Sequence, residues 1–290
     1  MIDSRCGLHC TGCSWKESHG CGGCIETQGH PFHGKCPIAL CCQSKGLAHC
    51  GECEIIPCDK LYEYSYLDPE HGDKPQGARV GVCRKWAAES GKQVWSNVLL
   101  TSAGFEDTDG RQMLNIVDRF LQMLNKPVNE ARILFIPTAA IDYEVKRMAD
   151  VCRRQLINIG IKAENIMEYN IGDRISEAEV MSFDVIYLTG GNTEFLLKCI
   201  KENSFNNIIK KMVYSNKVYV GVSAGSIIAT PNIGGADNPE TAGLALIHAY
   251  ISVHQPVGTL PRTDLLLPHI PLTDNQAIAV SWSGFEIIEG

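Results

Sequence analysis

The chain has 290 residues, 44% of them apolar, and a formal net charge of −7. That length accommodates two domains, no apolar run approaches the roughly 20 residues that span a bilayer, and the acidic balance argues against nucleic acid and anionic membrane as partners. The N-terminus lacks the basic-then-apolar pattern of a secretory signal, so a cytoplasmic protein is expected.

The cysteines divide the chain. Twelve of the 14 lie between Cys6 and Cys83. Their spacing is Cys6-x3-Cys10-x2-Cys13, Cys21-x2-Cys24, Cys36-x4-Cys41-Cys42 and Cys50-x2-Cys53-x4-Cys58. Each Cys-x2-Cys pair lets one turn present two thiolates to a tetrahedral ion. A disulfide scaffold fits poorly with an unsignalled cytosolic chain, so metal is expected. The best-spaced ligands are Cys10, Cys13, Cys21 and Cys24 for one site, and Cys36, Cys41, Cys50 and Cys53 for a second. Cys6, Cys42 and Cys58 are substitutes, and His19, His30, His33 and His49 are alternative fourth ligands or solvated loop residues. Structural zinc, two ions, is the default, and an iron–sulfur cluster is the rival that thiolate spacing leaves open. Residues 1–92 hold ten Lys/Arg against eleven Asp/Glu, which offers no basic face for reading bases. The stretch resembles small Cys-rich bacterial domains of unknown function, which open as Cys6-Gly-Leu-His-Cys10-Thr-Gly-Cys13 does and close as His49-Cys50-Gly-Glu-Cys53 through Pro57-Cys58 does. The resemblance implies a metal module of residues 1–90, structural or docking a protein partner or a second copy.

From residue 94 onward an α/β pattern begins. Val98-Leu-Leu-Thr-Ser102 and Ile133-Leu-Phe-Ile136 are short apolar runs suited to strands buried on both faces of a parallel sheet. Between them Met113, Ile116, Val117, Phe120, Leu121 and Leu124 recur at helical spacing. A second amphipathic stretch, Val145 to Ile159, leads to a strand over 165–169. A capping box at Ser176-Glu-Ala-Glu179 precedes the strand Asp184-Val-Ile-Tyr-Leu188. The Thr189-Gly190-Gly191-Asn192-Thr193 turn follows, either as a capped strand-to-helix turn or with backbone N–H groups aimed into a cleft. A helix through Phe205, Ile208, Ile209 and Met212 leads to the strand Lys217-Val-Tyr-Val220. Alternating strands and helices predict a doubly wound, mostly parallel sheet with its site at the strands' carboxyl ends.

Gly221-Val-Ser-Ala-Gly225 sits between that strand and the helix formers Ser226 to Ala229. Gly-x-Ser-x-Gly in this context is a nucleophile elbow, with the serine beside the positive end of the next helix. Ser223 is therefore a candidate nucleophile. His254, ending the strand-like Tyr250-Ile-Ser-Val-His254, is the candidate base.

These segments, together with Thr101-Ser-Ala-Gly-Phe105, Phe135-Ile-Pro-Thr-Ala-Ala140 and Asp274-Asn-Gln-Ala-Ile278, resemble the serine peptidase family of dipeptidase E and cyanophycinase. The resemblance runs from about Val98 to residue 290, within an expected domain of residues 94–290, and implies a class I glutamine-amidotransferase-like α/β fold that hydrolyses amide bonds after aspartyl residues in small peptides or cyanophycin. It implies Ser223 as nucleophile, His254 as general base, and the N–H groups of Gly191 and Ala224 as oxyanion hole. The family places an acidic residue about fifteen positions after the serine; Asp237 and Glu240 are the candidates, with Asp237 preferred. Dipeptidase members hold the substrate carboxylate with basic residues after the histidine. Here that segment, Gln255 to Thr273, is short and Arg262 is its one arginine. A serine hydrolase of a small peptide, aspartyl or other, is expected. The rivals are a metal or redox sensor built on an inactive peptidase fold, and an esterase or amidase with another small substrate.

Overall fold

A computed structural model describes residues 2–68, 70–91, 96–234, 238–282 and 284–290. It contains two compact units, Met1–Val94 and Trp95–Gly290.

The first unit is built from short helices and turns. Its two longest helices are α1 (Pro37–Ser44), opened by a proline at its first position, and α2 (Ala78–Glu89). Ile38, Leu61, Tyr62, Tyr66, Val80 and Trp86 are buried. A small apolar core therefore exists alongside the cysteines, more than the glycine-rich sequence suggests. The Arg5 guanidinium ties the amino-terminal segment down by donating to the carbonyls of Leu47 and Ala48 at 2.9 and 2.8 Å. A buried ion pair joins Arg79 to Asp73 at 2.6 Å.

The second unit follows the α/β order read from the sequence: β1 (Val98–Thr101), α3 (Leu114–Leu124), β2 (Ile133–Ile136), α4 (Tyr143–Asn158), β3 (Ile166–Glu168) and β4 (Val185–Leu188). Then come α5 (Thr193–Glu202), α6 (Phe205–Tyr214), β5 (Val218–Val222) and the short α7 (Ala224–Ile227). Ser176 caps the turn before β4, its hydroxyl accepting from Glu179 N–H at 3.2 Å. The last strands are β6 (Tyr250–Ser252), β7 (His269–Pro271), β8 (Gln276–Ser281) and β9 (Gly284–Glu289).

Seven strands form one sheet in the order β3-β2-β4-β5-β1-β8-β9. The first five are parallel, and β8 and β9 join antiparallel beyond β1. All four residues of β1, β2 and β4, and all five of β5, are buried, as a sheet covered on both faces requires. Tyr187 and Phe135, on neighbouring strands, stack with ring centroids 5.4 Å apart at its centre. β6 and β7 pair separately, in parallel, with Tyr250 opposite His269. Among the described residues, no helix is long and apolar enough to cross a membrane.

Candidate active site

The carboxyl ends of β1, β4 and β5 lie side by side, and each delivers one part of the site. Ser223 follows β5 with φ 49° and ψ −107°, a strained conformation outside the ordinary wells. Several bonds over-determine it. Ser223 N–H donates to the Thr101 carbonyl at 3.0 Å. The Ser226 hydroxyl lies 2.7 Å from the carbonyls of both Thr101 and Gly221, and the buried Tyr219 hydroxyl donates to Gly225 O at 2.6 Å. Gly225 must be glycine, because a Cβ there would stand 2.4 Å from the Leu188 carbonyl oxygen.

The turn after β4 faces the serine. Gly191 has φ 137° and passes so close to Ala139 that a Cβ would meet its carbonyl oxygen at 2.1 Å. Asn192 N–H donates to that same carbonyl at 2.8 Å, and the Asn192 side chain caps α5 through Phe195 N–H at 2.9 Å. The capped-turn reading of this segment is thus realised, and it sets Gly190 beside Ser223, where a Cβ on the glycine would stand 3.1 Å from the serine Cβ. Ala224 opens α7, where the first N–H groups of a helix have no acceptor within it.

His254 reaches the serine from the separate β6–β7 pair. Its Nε2 is 3.0 Å from Ser223 Oγ and its Nδ1 is 2.6 Å from Asp274 Oδ1. An ionised carboxylate can only accept, so Nδ1 carries the proton and the Nε2 lone pair faces the serine hydroxyl. Ser102, at the end of β1 and fully buried, holds both partners. Its hydroxyl donates to Asp274 Oδ1 at 2.9 Å and accepts from the backbone N–H of His254 at 2.8 Å. That second bond fixes a residue at φ 56°, uncommon for a histidine in a loop.

The acid within hydrogen-bond reach of the histidine is Asp274, which is not among the candidates read from spacing. Asp237, preferred on spacing, lies outside the described residues. Glu240 stands in the turn Pro239–Thr241, where its backbone carbonyl accepts from Lys201 Nζ at 2.8 Å. Asp274 comes to the histidine because β8 runs antiparallel to β1, with Ala277 opposite Thr101, which sets the start of β8 beside the end of β1. The Leu272 N–H to Ser252 O bond (2.8 Å) and the Gln255 N–H to Leu272 O bond (2.9 Å) bring the two segments together. Asp274 stood in a quoted motif; the missing signal was the antiparallel strand behind it. Arg262 is exposed and its guanidinium is engaged by Asp264, at 3.1 Å from Nε and 2.7 Å from Nη2.

The candidate metal ligands group differently from their spacing. All 14 cysteines are free thiols. Cys10 is pushed up to about 11, first by burial and then by the nearby thiols of Cys24, Cys13 and Cys21. Backbone N–H groups of Arg5 and Gly23 point at the sulfurs of Cys24 (3.3 Å) and Cys21 (3.4 Å). The second set is redistributed. Cys36 acts electrostatically on Cys24, while Cys50 lies beside Cys42, with Sγ atoms 3.4 Å apart, and is also influenced by Cys83. Cys41 and Cys53 both act on the Lys45 ammonium, along with Cys58. The His49 ring accepts from Gly51 N–H at 3.1 Å as a local cap. Among the described residues, no three His, Cys, Asp or Glu side chains converge on a point that one ion could share.

A serine on a strained strand-to-helix turn, facing a histidine held by a carboxylate, is the arrangement of serine hydrolases, whatever fold carries it. Residues 98–287 match the profile of peptidase family S51, and the chain belongs to that family. Residues 2–63 match a separate profile, a protein of unknown function (DUF3795). The chain is 34% identical over 103 residues to an uncharacterized peptidase of Listeria monocytogenes, covering 35% of this chain and 49% of that protein. It is 32% identical over 126 residues to an uncharacterized peptidase of Pasteurella multocida, covering 41% and 57%, and 25% identical over 137 residues to the peptidase E of a Nostoc species, covering 45% and 55%. The chain thus spans about half the length of these curated relatives. A crystal structure of a candidate peptidase E protein from L. monocytogenes EGD-e superposes with a TM-score of 0.54 at 23% identity, covering 68% of this chain and 99% of that one, which shows the shared fold.

Proposed function

We propose that the second unit is a serine peptidase that cleaves an amide bond in a small peptide, with Ser223 as nucleophile, His254 as general base and Asp274 as its orienting acid. The supporting observation is the unbroken chain of contacts from Asp274 Oδ1 through both ring nitrogens of His254 to Ser223 Oγ. Ser223 attacks the scissile carbonyl while His254 Nε2 takes its proton, and Asp274 stabilises the imidazolium that results. The N–H groups of Gly191 and Ala224 receive the developing oxyanion. His254 then protonates the leaving amine, and water releases the acyl group by the same path. Asp274 replaces Asp237 in this reading because it occupies the Nδ1 side of the ring.

Aspartyl specificity is a separate question within this reading. The guanidinium of Arg262 is already paired with Asp264, so a substrate carboxylate would have to compete for it. A screen of Asp-X, isoaspartyl and neutral dipeptides, with Ser223→Ala as blank, tests the whole reading. Hydrolysis by the wild type alone is expected. Equal turnover by wild type and blank would show that the bond is cut elsewhere.

We also infer that Cys10, Cys13, Cys21 and Cys24 hold a structural zinc ion. The mutual electrostatic influence of these thiols and the N–H groups directed at Cys24 and Cys21 support this, since such donors stabilise thiolates. The ligands must shed their protons and close around the ion, so uptake releases acid. Zinc counting on wild type and Cys13→Ser is the check, with loss of about one ion expected.

A further inference from the structure

The first unit has a partly open cavity of about 230 Å³, and five cysteines line it: Cys41, Cys42, Cys50, Cys53 and Cys58. Aliphatic side chains of Ile38, Leu47, Ile55, Ile56 and Leu61 make up much of the remaining wall. The charged groups on it are Lys45, Lys60 and Asp59.

The size of this space bears on what fills it. A zinc ion held by four thiolates sits roughly 2.3 Å from each sulfur, so its cage has no interior. A single water, an occupant of similar bulk, needs only about 10–15 Å³ on the same measure. The cavity is more than tenfold larger, and its thiols stand around a volume instead of meeting at a point. Thiolates select zinc, copper(I) or iron–sulfur clusters among metal groups, and only the last needs such room. The aliphatic side chains would give the sulfide edges an apolar wall. Lys45 Nζ already donates to Cys53 Sγ at 3.7 Å, the kind of contact that offsets cluster charge.

We propose that this cavity binds a cubane [4Fe–4S] cluster through Cys41, Cys50, Cys53 and Cys58. Cys41 and Cys42 are successive residues of α1 and point about 100° apart, so one cluster takes only one of them. Cys42 is the one left out: its thiol is directed at the Arg5 carbonyl at 3.9 Å, and it abuts Cys50 too closely for both to bind different irons. Cys50 and Cys53 share one turn, with Cys53 N–H bonded to Cys50 O at 3.0 Å. In the oxidised state the cluster and its four thiolates carry two net negative charges, which Lys45 and Lys60, set against Asp59 on the same wall, partly offset. Loading from a preformed cluster balances without an oxidant: each cysteine thiol gives its proton to a departing small thiolate, one Fe–S(ligand) bond breaks and one Fe–S(cysteine) bond forms. The assignment is independent of both the peptidase reading and the zinc reading.

The test uses the full chain, made in iron-replete cells and purified without oxygen, and separately the metal-free chain mixed with a synthetic [4Fe–4S] cluster carrying four 2-mercaptoethanol ligands. Iron, acid-labile sulfide and zinc are counted separately. About four iron and about four sulfide per chain are expected, with visible charge-transfer absorption that dithionite bleaches. Cys53→Ser and Cys58→Ser should each lose more than about three quarters of the iron, and Cys42→Ser should keep it. A wild type that takes up no iron, holds only about two iron and two sulfide, or binds zinc that Cys53→Ser removes would overturn the proposal. Because the wild-type count decides alone, a variant that fails to fold does not rescue it.

Discussion

Asp274 and Ser102 carry most of the site's organisation, and each makes a separable prediction. Asp274→Asn keeps the shape but lets the histidine adopt the wrong tautomer, so kcat should fall on the order of 10⁴-fold. Asp237→Asn should change kcat less than about threefold, and the reverse ranking would restore the acid favoured by spacing. Ser102→Ala removes the hydroxyl that both fixes the His254 backbone and donates to Asp274. Ser102 is a positioning residue, so kcat should fall about tenfold with KM nearly unchanged. The NMR resonance of the His254 Nδ1 proton should move with it, because the carboxylate that accepts this proton's hydrogen bond loses a donor. An unaltered resonance would reduce Ser102 to a packing residue. Ser223 and His254 were legible in the sequence because a local turn announces the first and the strand ending in the second follows it. Asp274 was not, because its place depends on β8 pairing antiparallel with β1, a long-range register that no local pattern encodes.

At the scale of elements, the elbow and the thiol-bearing turns show two ways of holding an unfavourable local state. The elbow uses close approach. Gly225→Ala would drive a methyl into the Leu188 carbonyl, so a loss of at least about 2–3 kcal/mol is expected by chemical denaturation. A variant as stable as the wild type would mean that the turn relaxes freely. The parallel strands β1, β2, β4 and β5 were readable because continuous apolar runs have few other uses, whereas β9, antiparallel at the edge, carries no such run, and the run Ala277–Val280 of β8 gives no local sign of its antiparallel direction. The first unit uses burial. Cys6 is pushed up from 9.0 to about 11, chiefly by burial, so the fold favours its neutral thiol. That contribution is complete below pH 9 and is lost as pH rises toward 11, since the unfolded chain ionises first. The metal-free first unit should thus lose roughly 2–3 kcal/mol across this window, read by thermal unfolding at fixed ionic strength. A flat profile would place Cys6 in a wetter setting than its burial indicates.

Across the whole molecule the two units differ in what sustains them. The second has a large sheet core and all the residues of the proposed relay. A chain beginning at Ser96 should therefore fold and retain intrinsic hydrolysis within about threefold of the full chain. Chelation should melt the first unit and leave the second unit's transition in place. A folded but inactive Ser96 chain would mean that the amino-terminal unit completes the active site. The cysteine asymmetry made this two-part organisation visible in the sequence. It did not reveal which sulfurs stand together, because the helix α1 and the turns that follow decide that in three dimensions.

The pairing of β6 with β7 has an evolutionary consequence. His254 leaves β6 and the chain returns at His269, so both ends of the intervening segment are clamped by the Tyr250–His269 and Ser252–Pro271 register. Val257, Leu260 and Leu266 on it are largely exposed. Residues can be added to or removed from this excursion without moving the imidazole, because loop length is bounded by a fixed gate and its closure cost grows only slowly. Substrate preference in this family can therefore drift by insertion and deletion beside the base while the proton-transfer geometry is inherited unchanged.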